Sequence, residues 1–395
     1  MNPDVLIVGA GFAGLVMAER LSNVMGLRCL VVDKRAHVGG NAHDAYNDAG
    51  VLTHVYGPHY FRSNSSKVVD YLSQFTNWLP TSYEIRSFTE GRYWHFPINL
   101  NTFEELVGRP SNVEEFKEYL EHKRVPIAKP QNSEEVIVSQ VGWELYEKFF
   151  KGYTLKQWKK HPRELDASVC GRIPIRTNRD NRYLQETFQA LPAAGYHRLF
   201  QNMIEASPGV QIMLRTDYRE LLPTLRFRHM VYTGPIDEFF DCRFGSLPYR
   251  SLRFETRSFE ADALAARAAI AGKQGFWQPA MQVNYPNEHD FTRIVEIKHA
   301  TQQRCENTSI VYEYPDDYGP GKEPYYPVPT AENSRLYAQY AELADATAGV
   351  SFIGRLATYR YYNMDQVVGM ALHEFDKIEP TLSTTRPGVL NDALR

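Results

Sequence analysis

Gly9, Gly11 and Gly14 stand in the spacing G-x-G-x-x-G directly after the apolar run Val5-Leu6-Ile7-Val8. Leu15, Val16, Ala18 and Leu21 follow at helical spacing, and a second apolar run, Cys29 to Val32, closes on Asp33. Glycines so placed allow a tight turn and a close backbone approach to a pyrophosphate, whose charge the start of a helix stabilises. Asp33 can accept hydrogen bonds from a ribose diol. The triplet alone is a weak signal; the strand before it, the helix after it and the acid ending the next strand predict a dinucleotide site.

Two further stretches extend that cradle. Lys34 to Asn41 carries the adjacent pair Gly39-Gly40, and Gly354-Arg355 with Asp365-Gln366-Val367 forms a second backbone cradle near the other end of the chain. A cofactor held by both ends suits long FAD better than a transient nicotinamide. The candidate cofactor residues are Gly9, Gly11, Phe12, Ala13, Gly14, Asp33, Lys34, Gly40, Asn41, Arg355, Asp365, Gln366 and Val367.

Composition narrows the alternatives. The 44 basic and 47 acidic residues give a net charge of −3, which lacks the basic footprint of a nucleic-acid protein. Cys29, Cys170, Cys242 and Cys305 are scattered, with no C-x-x-C and no histidine cluster, so neither a metal site nor a disulfide framework is expected. No basic leader precedes the first strand, and the stretch Val5 to Ala18 is too short and glycine-broken to span a membrane. A cytoplasmic setting follows as the expectation.

The elements that must position these residues predict a mixed α/β chain: a Rossmann-like FAD-binding domain, a helical domain and an antiparallel β-sheet domain. The first is discontinuous, 1–65 with about 195–235 and 340–379. Residues 66–165 read as helical with a mobile lid, with amphipathic segments around Phe103, over 113–122 and over 133–150, the last capped at Ser133-Glu134-Glu135. Residues 166–194 and 236–339 read as the sheet domain. Short β-branched and aromatic runs at 229–233, 281–285 and 309–314 suggest antiparallel strands. Val350 to Gly354 returns to a buried strand, a helix runs over 365–377, and 380–395 reads as a loose tail.

Ordered matches along the chain give a more specific reading. They include Gly57-Pro58-His59-Tyr60-Phe61, Phe96-Pro97-Ile98-Asn99, Lys151 to Trp158, Arg172-Ile173-Pro174-Ile175-Arg176, Tyr232 to Asp237, Tyr249-Arg250-Ser251-Leu252, Glu323 to Pro327 and Gly354 to Tyr362. In these, over about residues 4–378, the chain resembles the UDP-galactopyranose mutases. The resemblance implies an intramolecular transferase that interconverts UDP-galactopyranose and UDP-galactofuranose for surface or cell-wall polysaccharide. It implies FAD that is active when reduced, its N5 attacking the anomeric carbon to form a sugar adduct while UDP departs. NAD(P)H or another reductant would supply electrons, and a homo-oligomer without membrane insertion is expected.

The resemblance also implies site residues. Arg172 and Arg293 would hold the diphosphate, with Tyr153, Tyr326 and Tyr361 nearby, and Thr154 and Asn363 join the substrate set. Phe149 and Tyr153, four apart, would share a helix face against the uracil. Trp158 would sit on the lid. Arg250 and Arg176 suit a ligand or a structural ion pair equally. His59 would neighbour the flavin, as ligand or as a structural loop residue.

The departures matter too. Where relatives commonly carry G-x-H-x-F-H, this chain reads His59-Tyr60-Phe61-Arg62. Arg62 is charged and donor-rich, which suits the carbonyl of an acetamido sugar, so UDP-N-acetylgalactosamine or another nucleotide sugar stands as the alternative substrate. A more distant alternative is an FAD amine oxidase, and a third is a non-catalytic nucleotide-sugar binder. An insertion over 260–275 is expected to alter a surface or an oligomer contact.

Overall fold

The computed structural model describes residues 2–384. Five parallel strands form one sheet in the order Val210–Leu214, Cys29–Asp33, Val5–Val8, His229–Tyr232, Val350–Phe352. Val5–Val8 and residues 29–32, in the interior of the sheet, are covered on both faces, so their runs are apolar without alternation. Val5, Ile7 and Val31 pack on one side with the helices Phe12–Met25, Gly195–Glu205 and Met364–Thr384. Leu6, Leu30, Val32 and Met230 pack on the other with Tyr218 and Phe227. His229–Tyr232 therefore belongs to the parallel sheet and is not an antiparallel strand.

The second sheet has seven strands, ordered Tyr326–Pro327, Tyr249–Phe259, Thr308–Asp317, Arg293–Val295, Gln282–Asn284, Ile85–Thr89, Arg92–Phe96. It is antiparallel except where Gln282–Asn284 runs parallel to Ile85–Thr89. Ile85–Thr89 and Arg92–Phe96, with Trp78–Pro80, correct the reading of 66–165 as helical. Ile85, Ser87 and Thr89 turn inward in alternation, a period that the polar Ser and Thr hide from a hydrophobicity scan.

The helices Leu100–Val107, Val113–Lys123 and Ser133–Tyr146 bury Phe103, Phe116, Ile137, Val138 and Leu145 together. Asn99, Asn112 and Asn132 cap them by accepting backbone N–H bonds. The third cap is Asn132, one residue before the predicted Ser133, whose hydroxyl instead donates to the Asp166 carbonyl at 2.6 Å. A π-helical turn, Glu147–Lys151, leads into the short helix Gly152–Trp158.

The insertion forms the helix Ala261–Ala271 beside the seven-stranded sheet, burying Leu264 and Ala271. The last helix runs through Pro380 to Thr384, past the predicted end. Ile378 and Leu382 flank the proline in the core, so packing holds the helix across the missing N–H. Residues 385–395 of the predicted tail lie outside the described residues. Among the described residues, no helix is long and apolar enough to cross a membrane.

Candidate active site

A cleft of about 880 Å³ opens at the carboxyl ends of the parallel strands. Gly9, Gly11, Phe12, Ala13, Asp33, Lys34, Gly40, Asn41, His59, Arg355 and Val367 all line it, so the two ends of the chain meet there. Gly9 holds φ +108°, and a Cβ on it would lie 2.0 Å from Thr233 Oγ1. A Cβ on Gly40, at φ +56°, would stand 3.1 Å from the Gly11 Cα. The helix behind these turns starts at Gly11 with no side-chain cap, leaving its first N–H groups to the cleft. That combination suits a pyrophosphate. Asp33 braces the loop as well as facing the cleft: its carboxylate accepts from the Ala10 N–H at 2.8 Å and the Arg35 N–H at 2.9 Å.

Other predicted cofactor residues have different work. A Cβ on Gly14 would lie 1.9 Å from the Gly9 carbonyl oxygen, so Gly14 lets helix and loop pack and does not line the cleft. Asp365 accepts from the Ser63 hydroxyl at 2.9 Å, and Gln366 Oε1 accepts from the Asn363 N–H at 2.9 Å. Both fix the start of the last helix outside the cleft wall. Lys34 pairs with Asp217 at 3.3 Å, and Asn41 accepts from Arg35 at 2.8 Å.

Beside the cleft lies a cluster of arginines and tyrosines. Arg172 sits over the Tyr361 ring at 5.2 Å, Arg355 over the same ring at 5.1 Å, and Tyr361 stacks on Tyr326 at 5.6 Å. Trp158 lies 6.4 Å from Tyr326. Arg293 pairs with Glu313 at 2.6 Å. Burial works against the charge of both Arg172 and Arg293, yet their neighbours outweigh it and both guanidiniums are held above their usual range. Burial would raise the Tyr361 phenol, but Arg172 and Arg355 pull it below its ordinary value. Burial raises Tyr153, with Arg293 opposing.

His59 joins the two regions. It lines the cleft, its Nδ1 contacts the Gly57 carbonyl at 2.8 Å, and its N–H donates to His54 Nδ1 at 3.0 Å. Burial first, then Arg355 and Arg293, push its imidazole down to about 4. It is neutral at neutral pH.

Several predicted substrate residues are drawn elsewhere. Phe149 is buried against Trp94 and Phe96 in the helical core. Its fourfold spacing to Tyr153 assumed an α-helix, whereas the turn carrying it is π-helical. Thr154 is buried against Cys170 Sγ. Arg250 pairs with Asp317 and donates to the Gln157 carbonyl at 3.2 Å, tying the helix before Trp158 to the sheet. Arg176 donates to the Arg182 carbonyl at 2.6 Å. Arg62 donates to Glu186 at 2.9 Å and to Asn363 at 3.0 Å, so those two candidates engage each other.

Sequence reasoning missed Glu313, Thr233 and Glu323, which pairs with Arg35 at 2.6 Å. Their partners are distant in sequence; Thr233 and Glu323 stand inside quoted motifs, and Glu313 lies in a run read only as a strand.

The UDP-galactopyranose mutase family model matches residues 148–361, and an NAD(P)-binding Rossmann-like domain model matches residues 7–75. A Klebsiella pneumoniae protein described as a probable UDP-galactopyranose mutase is 34% identical over 382 residues, spanning 95% of this chain and 94% of its own. This chain belongs to the UDP-galactopyranose mutase family. A dTDP-fucopyranose mutase from Escherichia coli is 32% identical, spanning 93% of this chain and 96% of its own. A solved reduced UDP-galactopyranose mutase superposes with a TM-score of 0.71 at 17% identity, covering 96% of this chain and 94% of that one. Putrescine oxidase shares the fold at a TM-score of 0.57 and 14% identity, covering 96% and 99%. Membership in the mutase family makes the chain an isomerase of the intramolecular-transferase kind.

Proposed function

We propose that this chain interconverts UDP-galactopyranose and UDP-galactofuranose on bound FAD in its reduced state. The observation that carries the reading is the meeting of both chain ends around one cleft that His59 and Arg355 join to Arg172, Arg293 and Tyr361. The open helix start and the touching glycine turns would hold the pyrophosphate of FAD, and Asp33 its ribose. Reduced flavin supplies there a nucleophilic nitrogen for the anomeric carbon, with no net electron transfer.

The chain's own residues do the rest. Arg172 and Arg293 bind the diphosphate and stabilise the charge it gains as its bond to the sugar breaks. The hydroxyls of Tyr153, Tyr326 and Tyr361 orient it, and Trp158 beside Tyr326 screens water. Neutral His59 fixes the loop against the cofactor. In this reading the enzyme is a cytoplasmic homo-oligomer that takes electrons from NAD(P)H or another reductant.

The test is turnover of purified, dithionite-reduced protein on UDP-galactofuranose, UDP-N-acetylgalactosamine and dTDP-fucose, followed by chromatography. Conversion of UDP-galactofuranose only after reduction is expected. Preference for another nucleotide sugar would move the substrate, and amine-dependent hydrogen peroxide without mutase turnover would overturn the reading.

A further inference from the structure

Arg293 and Glu313 occupy facing positions on the antiparallel strands Arg293–Val295 and Thr308–Asp317. Arg293 Nη2 donates to Glu313 Oε2 at 2.6 Å, and Nη1 reaches Gln282 Oε1 at 3.4 Å. The Glu313 side chain is 1% exposed, and among the described residues its Oε1 has no hydrogen-bond partner. Arg293 Nε is likewise buried and unpartnered. The carboxylate also borders the loop that carries His59: a Cβ on Gly57 would lie 3.4 Å from Glu313 Oε2.

A buried carboxylate with one oxygen idle is an uneconomical way to hold an arginine. A glutamine would keep a hydrogen bond to the guanidinium without the charge, so the hydrogen bond alone does not call for a carboxylate. What the carboxylate adds is negative charge beside the cation that meets a nucleoside diphosphate.

We propose that Glu313 is a positioning residue that offsets part of the Arg293 charge, so that the diphosphate is gripped loosely enough to leave the sugar, rejoin it and depart. The inference rests on the reading of Arg293 as a diphosphate arginine. The chemistry it serves is the balance between ground-state and transition-state binding: a stronger ground-state grip on the diphosphate lowers KM without raising kcat.

The test titrates UDP into the purified, FAD-loaded full chain, read by quenching of tryptophan emission, beside steady-state kinetics. Glu313→Gln is expected to bind UDP roughly tenfold more tightly, the scale of one partly screened charge nearby. Its KM and kcat are expected to fall together as product release slows. Glu313→Asp, which keeps the charge, is expected to stay close to wild type. A residue with a merely structural role would give weaker binding and a raised KM, so UDP affinity in Glu313→Gln equal to or below wild type overturns the proposal. Should that variant not accumulate as folded protein, Glu313→Met, which removes the charge and leaves no unpaired amide, is judged by the same criterion. Wild-type protein that binds no UDP would instead overturn the assignment of the diphosphate site itself.

Discussion

Gly40 and Gly11 meet in the wall of the cleft with only hydrogens between them, 3.1 Å separating the Gly11 Cα from where a Gly40 Cβ would stand. The strand-end turn and the loop after the second strand thus act as one surface, tied further by the Gly39 N–H to the Ala10 carbonyl at 2.7 Å. Gly40→Ala would have to part the two loops and hold an alanine at φ +56°. The expected outcome is colourless protein with little retained flavin, at a stability cost of about 1–3 kcal/mol. The ratio of flavin to protein absorbance after purification checks it.

Arg172→Ala and Arg293→Ala should both lose turnover heavily, by about a hundredfold or more, while keeping FAD. They should part on stability. Removing Arg293 leaves Glu313 as an unpaired buried charge, a loss of about 3–5 kcal/mol, whereas among the described residues no carboxylate is paired with Arg172. Urea unfolding of the two variants checks the difference, and equal stability would contradict it.

Acid should unfold the protein through its buried histidines. Burial pushes His54 down to about 3 and His229 to about 4, from an ordinary value of 6.5. As the pH falls below 6.5 the unfolded chain takes up protons first, so stability is complete above that value and is lost on the way down to the folded values. The slope is roughly 1.4 kcal/mol per pH unit for each. Denaturation midpoints measured down through this window should fall, and His54→Gln should flatten the slope.

Arg62 spends donors on Glu186 and Asn363 and has others left. Arg62→His removes them, and the ratio of kcat/KM on UDP-galactose to that on UDP-N-acetylgalactosamine should rise. An unchanged ratio with both rates retained would make Arg62 a brace between the strand Phe61–Ser63 and the loop before the last helix.

What the sequence disclosed was local. Strand, glycine turn, helix and Asp33 lie within one short span, and each constrains its neighbours, so the cofactor end was legible. The partnership of Arg293 with Glu313 depends on strand register, and that of Arg35 with Glu323 joins residues 288 positions apart. Neither follows from spacing. The turn carrying Phe149 is π-helical, and aromatic spacing cannot tell an α-turn from a π-turn. His229–Tyr232 reads as β-branched and aromatic in either sheet, and only its apolar neighbours on both faces assign it to the parallel one.

The wall of the cleft is contributed in order by residues 8–13, 32–42, His59, 216–246, 318–324 and 354–367. A nascent chain emerging from the ribosome therefore has no complete cleft wall until Val367 has been made. On the proposed reading loading would follow synthesis, and the colour of the finished protein would report that the first strand, the seven-stranded sheet and the last helix have all found their places. Chains cut short before Val367 would carry the glycine fingerprint intact and still fail to hold flavin.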